Sequence, residues 1–290
     1  MYLGVEIGGT KLQAGVCDRH GHIEQLVRVA VERRQGRVGI LQKLEELLPA
    51  FLENHHVQAI GVGFGGPVDS ARGKVVQSFH IQGWDGFPLR RWFEKRFQLP
   101  VAVENDTNAA ALAEAKVGAG RGQRKVFYSN VGTGIGGALV IDGRLYNGQF
   151  GAMEIGHTKQ MVNGKWLVLE ALASGLSIER GKTTLAESAK FYGAALANAI
   201  TLLNPDIVVL GGGVAQAGER FFRPVRAQVA RLVFQPFRMN YRIVPAALGE
   251  TVVIVGAALW AARTTNVDGG LTPARRNAPR KGAATKDAGI

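Results

Sequence analysis

The sequence predicts an α/β fold of two similar lobes with a central ligand cleft between them. Three observations carry this reading. Strand-like runs alternate with helical ones along the chain, which argues for an α/β architecture. The order strand, glycine turn, strand, turn, strand occurs twice, from residue 2 and again from residue 126, as an approximate internal duplication. Glycine turns recur in equivalent places of the two halves, where a cleft between lobes takes a ligand.

The elements of the first half follow in order. YLGVEI (2–7) and LQAGVC (12–17) read as strands around the tight turn Gly8-Gly9-Thr10-Lys11, and His20-Gly21 turns the chain into a third strand near 23–29. Leu41, Leu44, Leu48 and Phe51 recur at spacings of three and four, so 38–53 is an amphipathic helix. AIGVGFGG (59–66) is a buried strand entering a glycine turn. Leu89, Trp92, Phe93 and Phe97 give a short helix over 88–97, with Pro88 in its first turn. PVAVEN (100–105) is a strand, and Asp106 or Thr107 caps the alanine-rich helix after it.

The second half repeats the scheme. VFYSNV (126–131) is a strand, GTGIGG (132–137) a glycine turn and ALVID (138–142) a strand, with a turn at Asp142-Gly143. A helix over 187–203, a strand DIVVL (206–210), the turn GGGV, a helix over 216–233, a strand near 241–244 and a closing helix over 253–263 complete it. The lobes are then 1–118, closed by helix 253–263, and 119–252. The segment 264–290 is rich in Gly, Ala, Pro, Arg and Lys without apolar periodicity, and is expected to be disordered.

Composition narrows the function classes. At 290 residues, with 46% hydrophobic and 20% charged residues, the chain can bury a substantial core. No apolar run reaches membrane-span length, and MYLGVEIGGTK enters a strand without a basic leader, so a cytoplasmic location with no membrane partner is expected. Cys17 is the one cysteine, which excludes an intramolecular disulfide and a cysteine-cluster metal site. The net charge is +12, of which +3 lies in 264–290, leaving +9 on the body. A basic body suits an anionic ligand such as ATP. Interleaved aromatic and basic residues of the kind that read single strands are absent, so no nucleic-acid partner is expected.

Two groups of residues suggest chemistry. Gly8-Gly9-Thr10-Lys11 lacks P-loop spacing, but its glycines let backbone N–H groups approach phosphate; a plain glycine hairpin is the alternative. GTGIGG matches G-x-G-x-x-G yet runs into a strand instead of a helix, which disfavours a dinucleotide site and suits a phosphate hairpin with Thr133 and Gly134 at its tip. Gly211-Gly212-Gly213 sits between a strand and a helix, where backbone alone can cradle a nucleotide. Glu104-Asn105-Asp106 ends a strand and opens a helix, so Asp106 is either a base accepting a hydroxyl proton or a helix cap. Glu154-Ile155-Gly156-His157 follows a flexible Gly151-Ala152 approach and places a carboxylate beside an imidazole, while Glu170 in LEALASG is a third candidate that by itself reads as an exposed helix position.

These segments, VEIGGTKLQAGV, GVGFGGPVD, VENDTNAAALAE, GTGIGGALVIDGRLYNG, EIGH, LEALASG, LLNPDIVVLGGGV and GAAL, in this order and spacing, resemble the ROK family over residues 2–263. That family includes bacterial glucokinases, fructokinases and N-acetylmannosamine kinases. The resemblance implies an actin/hexokinase-like, ribonuclease H-like duplicated fold and an ATP-dependent sugar kinase acting on a hexose or N-acylhexosamine. It implies Asp106 as catalytic base, and Gly65, Asn105, Glu154, His157 and Glu170 around the sugar. It places Gly8, Gly9, Thr10, Lys11, Gly132, Thr133, Gly134 and Gly136 at the phosphates, and Gly212 and Gly213 beside the adenosine. Glu6, where most members have Asp, is left to act through water on the magnesium (Mg2+) of the nucleotide. A homodimer is also implied.

The chain departs from the family pattern in places. TKQMVNGKWLV replaces a cysteine-rich zinc loop, so no metal is expected on His157. Residues 176–190 are shorter than the usual helical excursion, and His80 stands where many sugar kinases have Asn. Two rival readings belong to the same family: a repressor, which would carry a helix-turn-helix ahead of the first strand, and a degenerate sugar-binding regulatory protein. Polyphosphate is an alternative donor.

Overall fold

A computed structural model describes residues 1–78, 81–148 and 153–265. In the first half the elements are β1 (Tyr2–Ile7), β2 (Lys11–Cys17), β3 (Ile23–Ala30), α1 (Gly36–Asn54), β4 (Ala59–Phe64), β5 (Val68–Asp69), β6 (Lys74–Val75), α2 (Leu89–Phe97), β7 (Val101–Asn105) and α3 (Asp106–Lys116). There follow β8 (Lys125–Val131), β9 (Ile135–Ile141), β10 (Arg144–Leu145), β11 (Lys159–Val162), β12 (Lys165–Val168), α4 (Leu169–Ala173), α5 (Gly175–Glu179), α6 (Leu185–Leu203), β13 (Ile207–Gly211), α7 (Glu219–Leu232), β14 (Arg242–Pro245) and α8 (Val252–Thr264).

The duplication read from the sequence is visible in the topology. One five-stranded sheet runs β3-β2-β1-β4-β7 and the other β10-β9-β8-β13-β14. In each, the strand that opens the half pairs antiparallel with the next and parallel with a later one: β1 with β2 and β4, β8 with β9 and β13. The order of bonded strands is therefore the same in both sheets. β1 is buried along nearly its whole length because it is central and covered on both faces. β3, at the edge, alternates half-buried and exposed.

Each sheet has its own core. Phe51, Phe64, Trp84 and Phe93 fill the first, and Phe127, Tyr192 and Phe221 the second. In α1 the buried stripe is Ile40, Leu44, Leu48 and Phe51, one residue off the predicted set at its start, with Leu41 only partly buried. The alanine-rich α3 is buried on nearly every side, from Ala109 to Ala115. Its alanines pack with Val126 and Val140 of the second sheet and with Val252, Val253 and Val255 of α8, forming a seam between the two sheets. Small side chains are what allow so close an approach: a Cβ on Gly256 of α8 would run into the backbone of Ala109. The helix that bears Asp106 thus lies between the two halves.

Several expectations need correction. Asn105, in extended conformation, is the N-cap of α3 instead of Asp106 or Thr107, its Oδ1 accepting from the N–H groups of Thr107 and Asn108. The glycine turn after β8 is only Gly132-Thr133-Gly134, because Ile135 pairs with Val131 and Gly136 with Asn130. The GGGV turn leads into a 3-10 turn, Val214–Ala217, so α7 begins six residues after Gly213 and its N-terminus is not at the glycines. Thr264 and Thr265 are ordered: Thr264 ends α8, and the buried Thr265 hydroxyl donates to the Ala261 carbonyl, 2.7 Å away. The rest of the expected disordered segment, with His80, Gly151 and Ala152, lies outside the described residues.

Candidate functional site

The site grows from the junction of β7 and α3. The capping of α3 uses the whole Asn105 side chain: Oδ1 takes two backbone N–H groups, and Nδ2 donates to the Gly66 carbonyl and to Asp106 Oδ1, both at 3.1 Å. Asp106 is therefore the first helical residue, where the helix dipole favours a carboxylate. Its Oδ1 also accepts from the Thr107 N–H at 2.7 Å. Its Oδ2 lies against Gly65, where a Cβ would sit 3.4 Å from that oxygen and 3.6 Å from the Gly8 Cα. Glycine at 65 brings three segments together: β1's exit turn, β4's exit turn and the Asp106 carboxylate.

The first glycine turn is closed by the Gly8 N–H to the Lys11 carbonyl at 3.0 Å. Thr10 is exposed and Lys11 half-buried, with Lys11 Nζ 3.5 Å from the Glu6 carboxylate. Glu6 is nearly buried on β1 and also accepts from Gln13 Nε2. Burial pushes its pKa up to about 7, Lys11 working against the rise and Asp106 adding to it. Arg33, which the sequence did not single out, donates from Nε to the Gly9 carbonyl at 2.8 Å and so brackets the turn.

The second half reaches the same place through Thr107. Its hydroxyl lies 3.3 Å from Asp106 Oδ1 and 3.4 Å from Asn130 Oδ1, so one proton bridges the two halves. Asn130 in turn accepts from the Gly136 N–H at 2.8 Å. A polar residue near the end of the buried run VFYSNV was the available signal for Asn130. Glu170 is half-buried, not exposed, and lies under the second glycine turn: its Oε2 accepts from the Ile135 N–H at 2.9 Å, and a Cβ on Gly134 would meet that oxygen at 2.5 Å. The Gly132 carbonyl accepts from the Gly175 N–H at 2.7 Å, fixing Thr133 at the tip. Gly212, at φ +87°, packs its Cα on the backbone of Val131, while a Cβ on Gly213 would face open space.

Glu154 and His157 flank a 3-10 turn, Ile155–His157, and both are exposed on the rim. The turn is seated by Gly156 against the Ile135 backbone and by Met153 against Gly137. Glu104, just before Asn105, is almost fully buried. Burial raises its pKa, against the lowering effect of hydrogen bonds from Asn108, the Asn105 N–H, Ser70 and Asn147. The structure thus brings Glu6, Gly8, Gly65, Asn105 and Asp106 together with Gly136 across the seam. Gly132, Gly134 and Glu170 lie one strand turn further on.

The arrangement offers a carboxylate at a helix start, flanked by two glycine turns with exposed backbone, one from each half. That is suited to holding phosphates on two sides while a base meets a hydroxyl between them. Among the described residues no cluster of His, Cys, Asp and Glu is grouped as metal ligands, and no helix is long and apolar enough to cross a membrane.

Comparison with known proteins bears on the family and the fold. The sequence profile of the ROK family matches residues 2–184 and 176–264. A glucokinase of Streptomyces coelicolor is 31% identical, over 88% of this chain and 96% of its own length. Among solved structures, a ROK family glucokinase from Streptomyces griseus in complex with glucose and AMPPNP superposes with a TM-score of 0.78 at 32% identity, covering 90% of this chain and 99% of that one. A ROK hexokinase from Thermus thermophilus gives 0.77 at 31% identity, covering 90% of this chain and 97% of its own. The chain belongs to the ROK family and has the two-lobed actin/hexokinase-like fold.

Proposed function

We propose that the chain transfers the γ-phosphoryl group of Mg-ATP to a hydroxyl of a hexose or N-acylhexosamine, with Asp106 as the base. It is a carbohydrate kinase, in keeping with its glucokinase and hexokinase relatives and with the glucose and AMPPNP bound by one of them. The observation that carries the reading is the meeting of Asp106, Gly65 and Gly8 from one half with Asn130 and Gly136 from the other, through Thr107.

In this reading the sugar lies over Gly65 and Asn105, with Glu154, His157 and Glu170 along its other side. The attacking hydroxyl faces Asp106, which accepts its proton as the oxygen bonds to phosphorus and the β–γ bridging oxygen leaves with ADP. The glycine turns Gly8 to Lys11 and Gly132 to Gly136 hold the phosphates at their tips, the N–H groups of Gly8, Gly132, Ile135 and Gly136 being used inside the fold, and Gly212 and Gly213 flank the adenosine. Glu6, nearly buried on β1, would act through water on the magnesium that accompanies the nucleotide. Little covalent work is left to the protein; positioning and charge stabilisation dominate. Lobes 1–118 with α8 and 119–252 close over the sugar and exclude water. In the same reading the enzyme works in the cytoplasm as a homodimer; sedimentation at the mass of a single chain would contradict the dimer.

The test is sugar-dependent ADP release from Mg-ATP with glucose, fructose, mannose, N-acetylglucosamine and N-acetylmannosamine. Release with at least one sugar is expected. No release with any of them would remove transfer from ATP to these sugars, and release with polyphosphate alone would change the donor.

A further inference from the structure

The buried carboxylate next to the base has no part in the reaction described above, yet it is bonded to three separate elements. Glu104 Oε1 accepts from the Asn105 N–H at 2.9 Å and from Asn108 Nδ2 at 3.0 Å, both in the turn that carries Asp106. A hydrogen bond from Ser70 ties it to the hairpin β5–β6, which follows the Gly65-Gly66-Pro67 turn. Its Oε2 accepts from Asn147 Nδ2 at 3.3 Å, and Asn147 lies just beyond β10 in the second half. Asn108 closes the loop by donating to Asn147 Oδ1 at 3.4 Å. The groups facing Glu104 are thus a hydroxyl, a backbone N–H and two side-chain amides, none of which titrates. A carboxylate offers only acceptors, and here the donors supplied are aimed at it from both halves of the chain.

We propose that Glu104 is a positioning residue for the sugar: through Asn108 and Asn147 it clasps the turn bearing Asp106 and Asn105, and the neighbouring Gly65 loop, onto the second half of the chain. This rests on the sugar-kinase reading of the site. Glu104 itself touches neither the transferring phosphoryl group nor the hydroxyl. In that reading the clasp lies on the sugar side of Asp106, beside Asn105 and the Gly65 turn, whereas the glycine turns assigned to the phosphates are held by Lys11, Asn130 and Glu170. Loss of the clasp therefore acts on sugar affinity and leaves the nucleotide side unaltered.

The experiment uses Asn147→Ala, which sits on a half-buried residue and spares the core, alongside Glu104→Gln. Steady-state kinetics would give KM for sugar and for ATP separately. Hydrogen exchange would follow residues 144–148. Losing a hydrogen bond to a charged group corresponds to about a tenfold to hundredfold effect. Sugar KM is expected to rise by that factor in both variants, with ATP KM within about twofold and exchange at 144–148 faster. Asn147→Asp sets a second carboxylate against the first, and its sugar KM is expected to be high at pH 8 and to recover towards pH 6 as one proton is shared. Unchanged sugar KM and unchanged exchange in Asn147→Ala would overturn the proposal, as would an equal rise in both KM values. If the wild-type protein turns over no sugar, the kinase reading fails, and the exchange data still decide whether the clasp exists.

Discussion

At the scale of single residues, the site is set by how carboxylates are paired. Asp106 is fixed by three donors to one oxygen, and Glu6 is enclosed between Lys11 and Gln13. Glu6 carries a measurable consequence. Its folded pKa, about 7, lies above its ordinary value near 4.5, so folding takes up a proton between those pH values. The sign is fixed by this: its contribution is fully present below pH 4.5 and is lost as pH rises through 7. Glu6→Gln is therefore expected to gain stability relative to wild type on going from pH 5 to pH 8, by up to roughly 3 kcal/mol. Thermal melts across that range check it, and parallel curves for the two proteins would contradict it. Asp106 stood out in the sequence as a carboxylate at a strand-to-helix junction, base or cap, but the capping by Asn105 did not: either side chain caps equally well on paper. The roles of Thr107, Asn130 and Asn147 were not legible because they depend on partners 23 and 39 residues away.

At the scale of elements, periodicity and glycine spacing located most strands and long helices to within a few residues. β1, β2, β7, α1, α6 and α8 follow from apolar runs and stripes that burial then enforces. The short pieces β5, β6, β11, β12, α4 and α5 were not legible, since two to five residues hold no period to read. Glu170 belongs to α4, and its exposure was misjudged because the strand it lies under is far away in sequence. The turn at Gly212 gives an element-scale prediction. With φ at +87° and a Cβ position 2.5 Å from the Val131 carbonyl oxygen, alanine there must push the turn off β8. The strain is on the order of 1–3 kcal/mol. Gly212→Ala is expected to raise ATP KM roughly tenfold while sugar KM stays within about twofold. A variant with normal ATP KM would remove Gly212 from the nucleotide site.

At the scale of the molecule, two sheets of identical strand order meet on α3 and α8, and the residues of interest collect along that seam. The duplication was legible in the sequence because each half repeats its turn chemistry. The seam was not, because an alanine-rich helix buried all round has no stripe to show which way it faces. In the proposed reaction Asp106 is the point where the two halves act together on one hydroxyl, and the most direct test separates chemistry from binding. Asp106→Asn would be compared with wild type for kcat with Mg-ATP and the preferred sugar, and for sugar Kd by calorimetry. Asparagine preserves shape and accepts no proton, so kcat is expected to fall by at least about a hundredfold with Kd within about threefold. Near-normal kcat in the variant, with the sugar bound as before, would contradict the assignment of Asp106 as base.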